Sequence, residues 1–121
     1  MQVPHRVHLN RMEYQAVPYQ TPSGKKPFDE WLDKLRRRDR VAAASVDARL
    51  ARIRDKGNFG DHRSISQSVS ELRIHLGPGY RVYYLLHRQK MVILLVGGEK
   101  GDQQRDIAKA HEYAADFWRR I

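Results

Sequence analysis

The chain of 121 residues contains no cysteine, which excludes disulfide scaffolds, thiolate zinc sites, iron–sulfur clusters and cysteine nucleophiles together. Long hydrophobic runs are also missing. The longest, residues 91–96, is far shorter than the roughly 20 apolar residues of a transmembrane helix. The N-terminus has no apolar stretch of the kind that a secretory signal requires. These absences predict a cytoplasmic protein that does not span a membrane.

Acidic residues are few, since 14 Asp and Glu stand against 23 Lys and Arg and leave a formal net charge of +9. Such an excess favours a polyanionic partner, which could be a nucleic acid, an acidic protein or an anionic membrane. Residues 25–56 hold 11 of the basic residues and only 6 of the acidic ones. The alternative for any single one of these charges is a solvated outer surface.

The length suits one domain, which we expect to span residues 11–121 after a flexible N-terminal extension over residues 1–10. Alternating apolar residues predict a strand within residues 11–20. A helix is predicted from Pro27, a residue favoured in the first turn, to the basic residues 36–38. A second helix is predicted over residues 39–56, with Asp39 as its N-cap and Gly57 at its C-terminal end.

The second half of the chain changes to strand periodicity. Residues 72–76, 80–87 and 91–96 predict three strands with short connections, and therefore an antiparallel meander. Asp102 is expected to cap a last helix, and both tryptophans, Trp31 and Trp118, are expected in the core. The order β-α-α-β-β-β-α predicts an α+β fold: an antiparallel sheet with the helical hairpin packed on one face and a C-terminal helix.

Basic side chains accumulate on one face of this predicted sheet. Side chains alternate along a strand, so the apolar residues of the first meander strand, directed to the core, leave Arg73 and His75 together on the opposite face. Arg81 of the next strand is expected to face outward on the same side together with Tyr83, and Lys100 follows the third strand nearby. The residues that this pattern directs to the core are Leu72, Ile74, Leu76, Val82 and Tyr84.

Two arginines, a histidine and a lysine on one face can bind a phosphodiester and cleave it. Arginine clamps phosphate oxygens and stabilises the charge of a pentavalent phosphorane. A neutral imidazole can take the proton of a ribose 2′-hydroxyl, and a lysine can favour departure of the 5′-oxygen, so the reaction needs neither a metal nor another cofactor. The alternative is that Arg73 and Arg81 merely form ion pairs with Glu71, Glu99 or Asp106 on an exposed sheet.

One further pair of residues has metal-like spacing. His5 and His8 are three positions apart, but they lie in the predicted extension and have no carboxylate companions. We therefore expect no metal site in this protein.

Several short blocks resemble one protein family in their order and spacing. The family is the HigB-like, phage-Gp49-like branch of the RelE/ParE toxin superfamily, whose members are often labelled addiction-module killer proteins. The resemblance extends from about residue 11 to about residue 118. The blocks are PFDEWL at 27–32, GNFGD at 57–61, ELRI at 71–74, GPGYRVY at 77–83, LLVGGEK at 94–100, and Gln103 with Asp106 and Ile107.

The resemblance implies a compact α+β toxin of a type II toxin–antitoxin system, located in the cytoplasm. Toxins of the RelE and HigB kind are metal-independent endoribonucleases that cut mRNA, usually on the ribosome. The implied partners are a helix-turn-helix, HigA-like antitoxin, mRNA and the ribosome, with operator DNA reached only through the antitoxin complex. Relatives of the ParE kind instead poison DNA gyrase without nuclease activity. A third possibility is a non-catalytic module that binds the antitoxin or its operator complex.

The resemblance also implies roles for the four basic residues. Arg81 matches the phosphate-binding arginine of the superfamily, and Arg73 and His75 fall where RelE toxins place basic strand residues. Lys100 falls near the basic residue that follows the last strand. The C-terminal helix has no tyrosine before Tyr113 to match the catalytic tyrosine of RelE toxins, a departure from the RelE pattern that favours His75 as the general base. Arg81→Ala is therefore expected to abolish toxicity and leave the fold intact.

Overall fold

The computed structural model describes residues 13–121. The start of the expected domain at residue 11, the expected extension over residues 1–10, and His5 and His8 lie outside the described residues. A 3-10 turn, Lys100–Asp102, leads into the last helix. The elements in chain order are β1 (Gln15–Pro18), α1 (Pro27–Arg38), α2 (Arg40–Lys56), β2 (His62–Ser64), β3 (Ser70–Ile74), β4 (Tyr80–His87), β5 (Met91–Glu99) and α3 (Gln103–Arg120).

Helices α1 and α2 form a hairpin whose ends are determined by residue type. Pro27 begins α1, where the N–H that proline lacks would have no partner in the helix. The Asp39 carboxylate accepts a hydrogen bond from the backbone N–H of Ala42 and so caps α2. Gly57 ends α2 with φ 65, a left-handed conformation that glycine adopts without strain. The predicted bounds of both helices are confirmed to within a residue.

The five strands form one sheet in the order β1-β5-β4-β3-β2. The antiparallel meander of β3, β4 and β5 is confirmed. The prediction of a wholly antiparallel sheet is wrong, because β1 pairs parallel with β5 and makes the sheet mixed. Strand direction depends on the path of the chain through the helical hairpin, which local sequence patterns do not encode. Strand β2 was not predicted, because its three residues are all exposed and carry no apolar alternation.

The hairpin covers one face of the sheet, called here the hairpin face. Side chains of α1, α2 and the three meander strands form the larger core cluster there, and Trp31 packs against it partly buried. Leu76 was expected in this core but is 37% exposed, because β3 ends at Ile74 and Leu76 lies in the following turn. The fully buried members of this cluster include Ala42, Val46, Ile53, Leu72 and Val82.

Helix α3 covers the opposite face, called here the α3 face. Ala110 and Ala114 pack closely against Tyr83 and neighbouring strand residues in a second core cluster. The prediction that Arg81 and Tyr83 face solvent is therefore wrong: both are buried, because α3 lies over them. Because the sheet is covered on both faces, its central strands are apolar at nearly every position.

The ends of α3 differ from the prediction in two ways. Asp102 precedes the helix, but its side chain makes no capping hydrogen bond. Trp118 is 42% exposed rather than in the core, because it lies in the last turn of α3. Among residues 13–121, no helix is both long enough and apolar enough to cross a bilayer.

Candidate active site

The four predicted site residues lie at one end of the sheet, where β3 and β4 meet their connecting turn. Arg73 and Arg81 are direct cross-strand partners, so their side chains emerge side by side on the α3 face. His75 follows β3 immediately. Lys100 follows β5, and its backbone N–H donates to the carbonyl of Gly79 in the turn at 3.0 Å. The predicted grouping is present, but its members lie at different depths.

A carboxylate that the sequence analysis did not select joins two of these residues. Asp61, in the loop after α2, accepts hydrogen bonds on Oδ1 from Nη2 and Nε of Arg73 at 2.7 and 3.1 Å. Its other oxygen, Oδ2, lies 2.5 Å from Nε2 of His75. The hydrogen bonds from Arg73 and then His75 lower the pKa of Asp61 from 3.8 to about 2. Asp61 is therefore ionised at neutral pH.

The ionised Asp61 determines which ring nitrogen of His75 carries a proton. A carboxylate can only accept hydrogen bonds, so Nε2 of His75 is the donor in this contact. In the neutral ring, Nδ1 is then the proton acceptor. The His75 side chain is 70% exposed, which leaves the ring open to a substrate.

Arg81 belongs to a buried layer beneath this exposed pair. Its side chain is 8% exposed, and Nε lies 3.8 Å from Oε2 of Glu71, a carboxylate with no exposed surface. Arg63 binds Oε1 of Glu71 at 2.8 Å, and Gln103 of α3 donates to Oε2 at 3.4 Å. The expectation that Arg81→Ala leaves the fold intact is therefore not supported, because the change removes a buried charge that faces a buried carboxylate.

Three polar atoms of the buried layer have no hydrogen-bond partner among residues 13–121: Nε of Arg81, the Tyr83 hydroxyl and Oδ2 of Asp106. The last two belong to groups that titrate. Burial raises the pKa of both groups, and the charge of Glu71 raises that of Tyr83 further. Asp106 lies directly over Gly98 of β5, where any Cβ would collide with its carboxylate. Gly98 thus permits α3 to approach the sheet.

The ion pairs considered in the sequence analysis are only partly present. Arg81 does face Glu71, but Arg73 pairs with Asp61 instead of Glu71, Glu99 or Asp106. The two arginines are not part of an exposed sheet surface either, since α3 covers Arg81. The accessible groups at this site are Asp61, Arg73, His75 and Lys100.

Metal-ligating side chains do not converge here. Within residues 13–121 no group of three His, Asp or Glu side chains is placed to hold a metal ion. The accessible side chains of the site are a carboxylate-bound histidine beside arginine and lysine cations.

Comparison with known proteins identifies one relative over most of the chain. A Haemophilus influenzae protein described as an uncharacterized protein is 46% identical over 90 residues, which cover 74% of this chain and 88% of the relative. The chain belongs to the family of this Haemophilus influenzae protein. No protein-family model matches the chain.

Of the three carboxylates at the site, sequence reasoning missed Asp61 and considered Glu71 and Asp106 only as alternative ion-pair partners of the arginines. Asp61 ends the block GNFGD and Glu71 begins the block ELRI, so both were quoted for the resemblance but not selected. The available signal was their position, since an acidic residue close to a strand with unpaired arginines is a candidate ion-pair partner. The third, Asp106, lies four positions before Ala110 on α3, so helical periodicity places it on the same buried face as Ala110 and Ala114.

Proposed function

We propose that this protein is the toxin of a type II toxin–antitoxin system and that it cleaves mRNA as a metal-independent endoribonuclease. The observation that carries the proposal is the Asp61 carboxylate, which holds Arg73 and His75 next to each other at an exposed end of the sheet. A proton acceptor beside a phosphate-binding cation is the arrangement that attack by a ribose 2′-hydroxyl requires. The strong positive charge of the chain and its sequence resemblance to HigB-like toxins support the same reading.

In the proposed reaction, Nδ1 of His75 takes the proton of the 2′-hydroxyl, whose oxygen attacks the adjacent phosphorus. The bond between phosphorus and the 5′-oxygen then breaks, which leaves a 2′,3′-cyclic phosphate and a 5′-hydroxyl. Asp61 holds the ring in the required tautomer and stabilises the imidazolium that forms. Lys100, exposed at the same end, donates the proton that the leaving 5′-oxygen takes up.

Arg73 is the residue proposed to bind the phosphate at which the RNA is cleaved. Its Nε and Nη2 are bound to Asp61, and within residues 13–121 its Nη1 has no hydrogen-bond partner, so two N–H groups can reach a phosphate oxygen. Its side chain is 30% exposed, compared with 8% for Arg81. The proposal gives Arg81 a supporting role, as a buried positive charge next to Arg73 that adds to the field at the phosphorane.

The helical hairpin is proposed to guide the protein to ribosomal RNA. Asp47 and Glu99 neutralise Arg36 and Arg38 in exposed ion pairs. Arg37 and Arg40 line a shallow surface near the junction of the two helices. The positive charge of these arginines would attract the phosphates of ribosomal RNA. Such electrostatic attraction acts at long range and weakens as the salt concentration rises. The same positive surface fits an acidic segment of a helix-turn-helix antitoxin, and operator DNA would be reached only through that complex.

The proposal is tested by mapping new RNA 5′ ends after a short pulse of expression, for the wild type and for His75→Ala and Arg73→Lys. His62→Ala is the matched control, because His62 is also an exposed histidine but lies on the hairpin face, opposite Leu72. We expect cuts inside translated reading frames in the wild type and in His62→Ala, and their loss in the two site variants. Cleavage by the purified protein should persist in EDTA and should leave 2′,3′-cyclic phosphate ends.

The other readings give different results in the same experiment. Growth arrest without RNA cuts, together with trapped gyrase–DNA complexes, would replace the proposal with a gyrase poison. Absence of both arrest and cuts in a chain that still binds its antitoxin would indicate a non-catalytic module. Cuts that persist when translation initiation is blocked would retain the nuclease but remove the ribosome from the proposal.

A further inference from the structure

Arg49 of α2 is a buried cation that forms no ion pair with a carboxylate of residues 13–121. The residue is 8% exposed, and within residues 13–121 no carboxylate oxygen lies within 4.0 Å of its nitrogens. Desolvation lowers the pKa of Arg49 accordingly. A buried charge is tolerated only where polar groups form hydrogen bonds with it, so the hydrogen-bond partners of this guanidinium indicate its structural role.

The partners of Arg49 are three backbone carbonyls of the segments that form the candidate active site. Nη1 donates to the carbonyl of Arg73 at 2.6 Å. Nη2 donates to the carbonyls of Phe59 and Asp61 at 2.6 and 3.0 Å. The carbonyl of Asp61 also accepts the backbone N–H of Arg73 at 2.9 Å. One guanidinium therefore joins the two residues whose side chains form the exposed ion pair.

We infer that Arg49 is a positioning residue, which fixes the backbone of Asp61 against that of Arg73 and so sets the distance from the Asp61 carboxylate to its partners. Arg49 acts from α2, on the hairpin side, and leaves the Asp61 carboxylate directed toward Arg73 and His75. The expected effect of Arg49 on catalysis rests on the function proposed above. Its effect on the geometry of Asp61 does not.

Gly60 provides the space for this contact. A Cβ at Gly60 would lie 2.9 Å from Nη2 of Arg49 and 3.0 Å from its Cζ, closer than real Cβ contacts. The φ of Gly60 is also positive, at 66. Gly60 therefore lets the loop pass directly over the guanidinium, and a methyl group there would displace the head of Arg49 without removing its charge.

Lysine cannot take the place of Arg49 in this arrangement. The three carbonyls belong to two separate segments, and the planar guanidinium reaches both with donors that point in different directions. An ammonium group is a single point from which the same three contacts cannot be made. Arg49→Lys therefore keeps the charge and removes the guanidinium that bridges the Asp61 and Arg73 carbonyls, so that only the direct contacts between these two residues remain.

The test uses Arg49→Lys and Gly60→Ala, with the pKa of the Asp61 carboxyl followed by carbon-13 NMR. In both variants we expect this pKa to rise from about 2 toward the ordinary value of 3.8, because Asp61 no longer meets its cationic partners. Arg52→Lys is the control on an exposed face of the same helix. Gly24→Ala is the control for a positive φ, since its Cβ would contact only Gln20, at 3.6 Å. Both controls should keep the wild-type pKa.

RNA cleavage provides the second readout. Loss of positioning predicts a fall in kcat of roughly tenfold or more in both variants, with KM changed by less than about threefold, because charge and RNA contacts remain. An unchanged Asp61 pKa in the folded variants overturns the inference. A raised pKa with an unchanged kcat overturns its catalytic part. If Arg49→Lys does not fold, the Asp61 pKa and the kcat of Gly60→Ala test the inference. If the wild type does not cleave RNA, the proposed function fails and the Asp61 titration still decides whether Arg49 positions this carboxylate.

Discussion

Two buried tyrosines on the α3 face differ in whether the hydroxyl has a partner, and they should respond oppositely to its removal. Tyr83 has no exposed surface, and its hydroxyl has no hydrogen-bond partner among residues 13–121. Tyr19 is 3% exposed and donates to Oδ2 of Asp116 at 2.5 Å. Replacement by phenylalanine keeps the ring in each case, so the change isolates the hydroxyl.

The expected magnitudes follow from the partners. A buried polar group without a partner costs about 1–3 kcal/mol, so Tyr83→Phe should raise the free energy of unfolding by about 1 kcal/mol. A hydrogen bond to a charged group contributes about 1.5–3 kcal/mol, so Tyr19→Phe should lower it by about 2 kcal/mol. The two variants should therefore differ by roughly 3 kcal/mol although both lose one oxygen atom.

Urea unfolding followed by circular dichroism measures this difference directly. The slope of the unfolding free energy with urea should be the same in the wild type and both variants, because each loses the same atom and exposes the same chain. A destabilised Tyr83→Phe would contradict the reasoning, since it would mean that the hydroxyl is held by a favourable interaction. A stabilised Tyr19→Phe would equally contradict the assigned role of Asp116.

Three further changes test other parts of the structure. The pKa of Asp61 is held near 2, below its ordinary 3.8, so the stability that its charge contributes is complete above pH 4 and is lost as the pH falls through about 2. The urea midpoints of the wild type and of Asp61→Asn should therefore converge between pH 4 and 2. Gly97→Ala places a Cβ against the Trp31 ring and should destabilise the protein by about 1–3 kcal/mol, with a changed tryptophan fluorescence spectrum. Arg38→Ala removes an exposed pair with Glu99 and should alter the unfolding free energy by less than about 1 kcal/mol.

Local patterns predicted the elements that carry their own signals. Pro27, Asp39 and Gly57 mark helix ends because each satisfies or removes a backbone group at a particular position, whatever surrounds it. The meander strands followed from period-two and continuous apolar runs in the same way. Strand β2 lacked such a signal, and the parallel pairing of β1 arises from chain path alone.

The basic residues of the candidate site were predicted, whereas its exposed carboxylate, Asp61, was not. Alternation along β3 and pairing with β4 were enough to bring Arg73 and Arg81 together. The predicted exposure of Arg81 was wrong, because no strand pattern shows that a helix beginning 22 residues later covers it. Asp61 is 12 positions from Arg73 in the chain and meets it because the antiparallel pairing of β2 with β3 continues to this position, where the backbone N–H of Arg73 donates to the Asp61 carbonyl.

The sequence by itself determined the three helices, the meander strands, the positive charge, the exclusion of cysteine chemistry and the cluster of basic residues at one sheet end. These properties depend on composition or on neighbours within a few positions. The tertiary structure alone decided which of those cations are accessible, which carboxylate joins Arg73 to His75, and which charges α3 buries. These properties arise from contacts between segments distant in the chain, where burial and pairing depend on how whole elements pack.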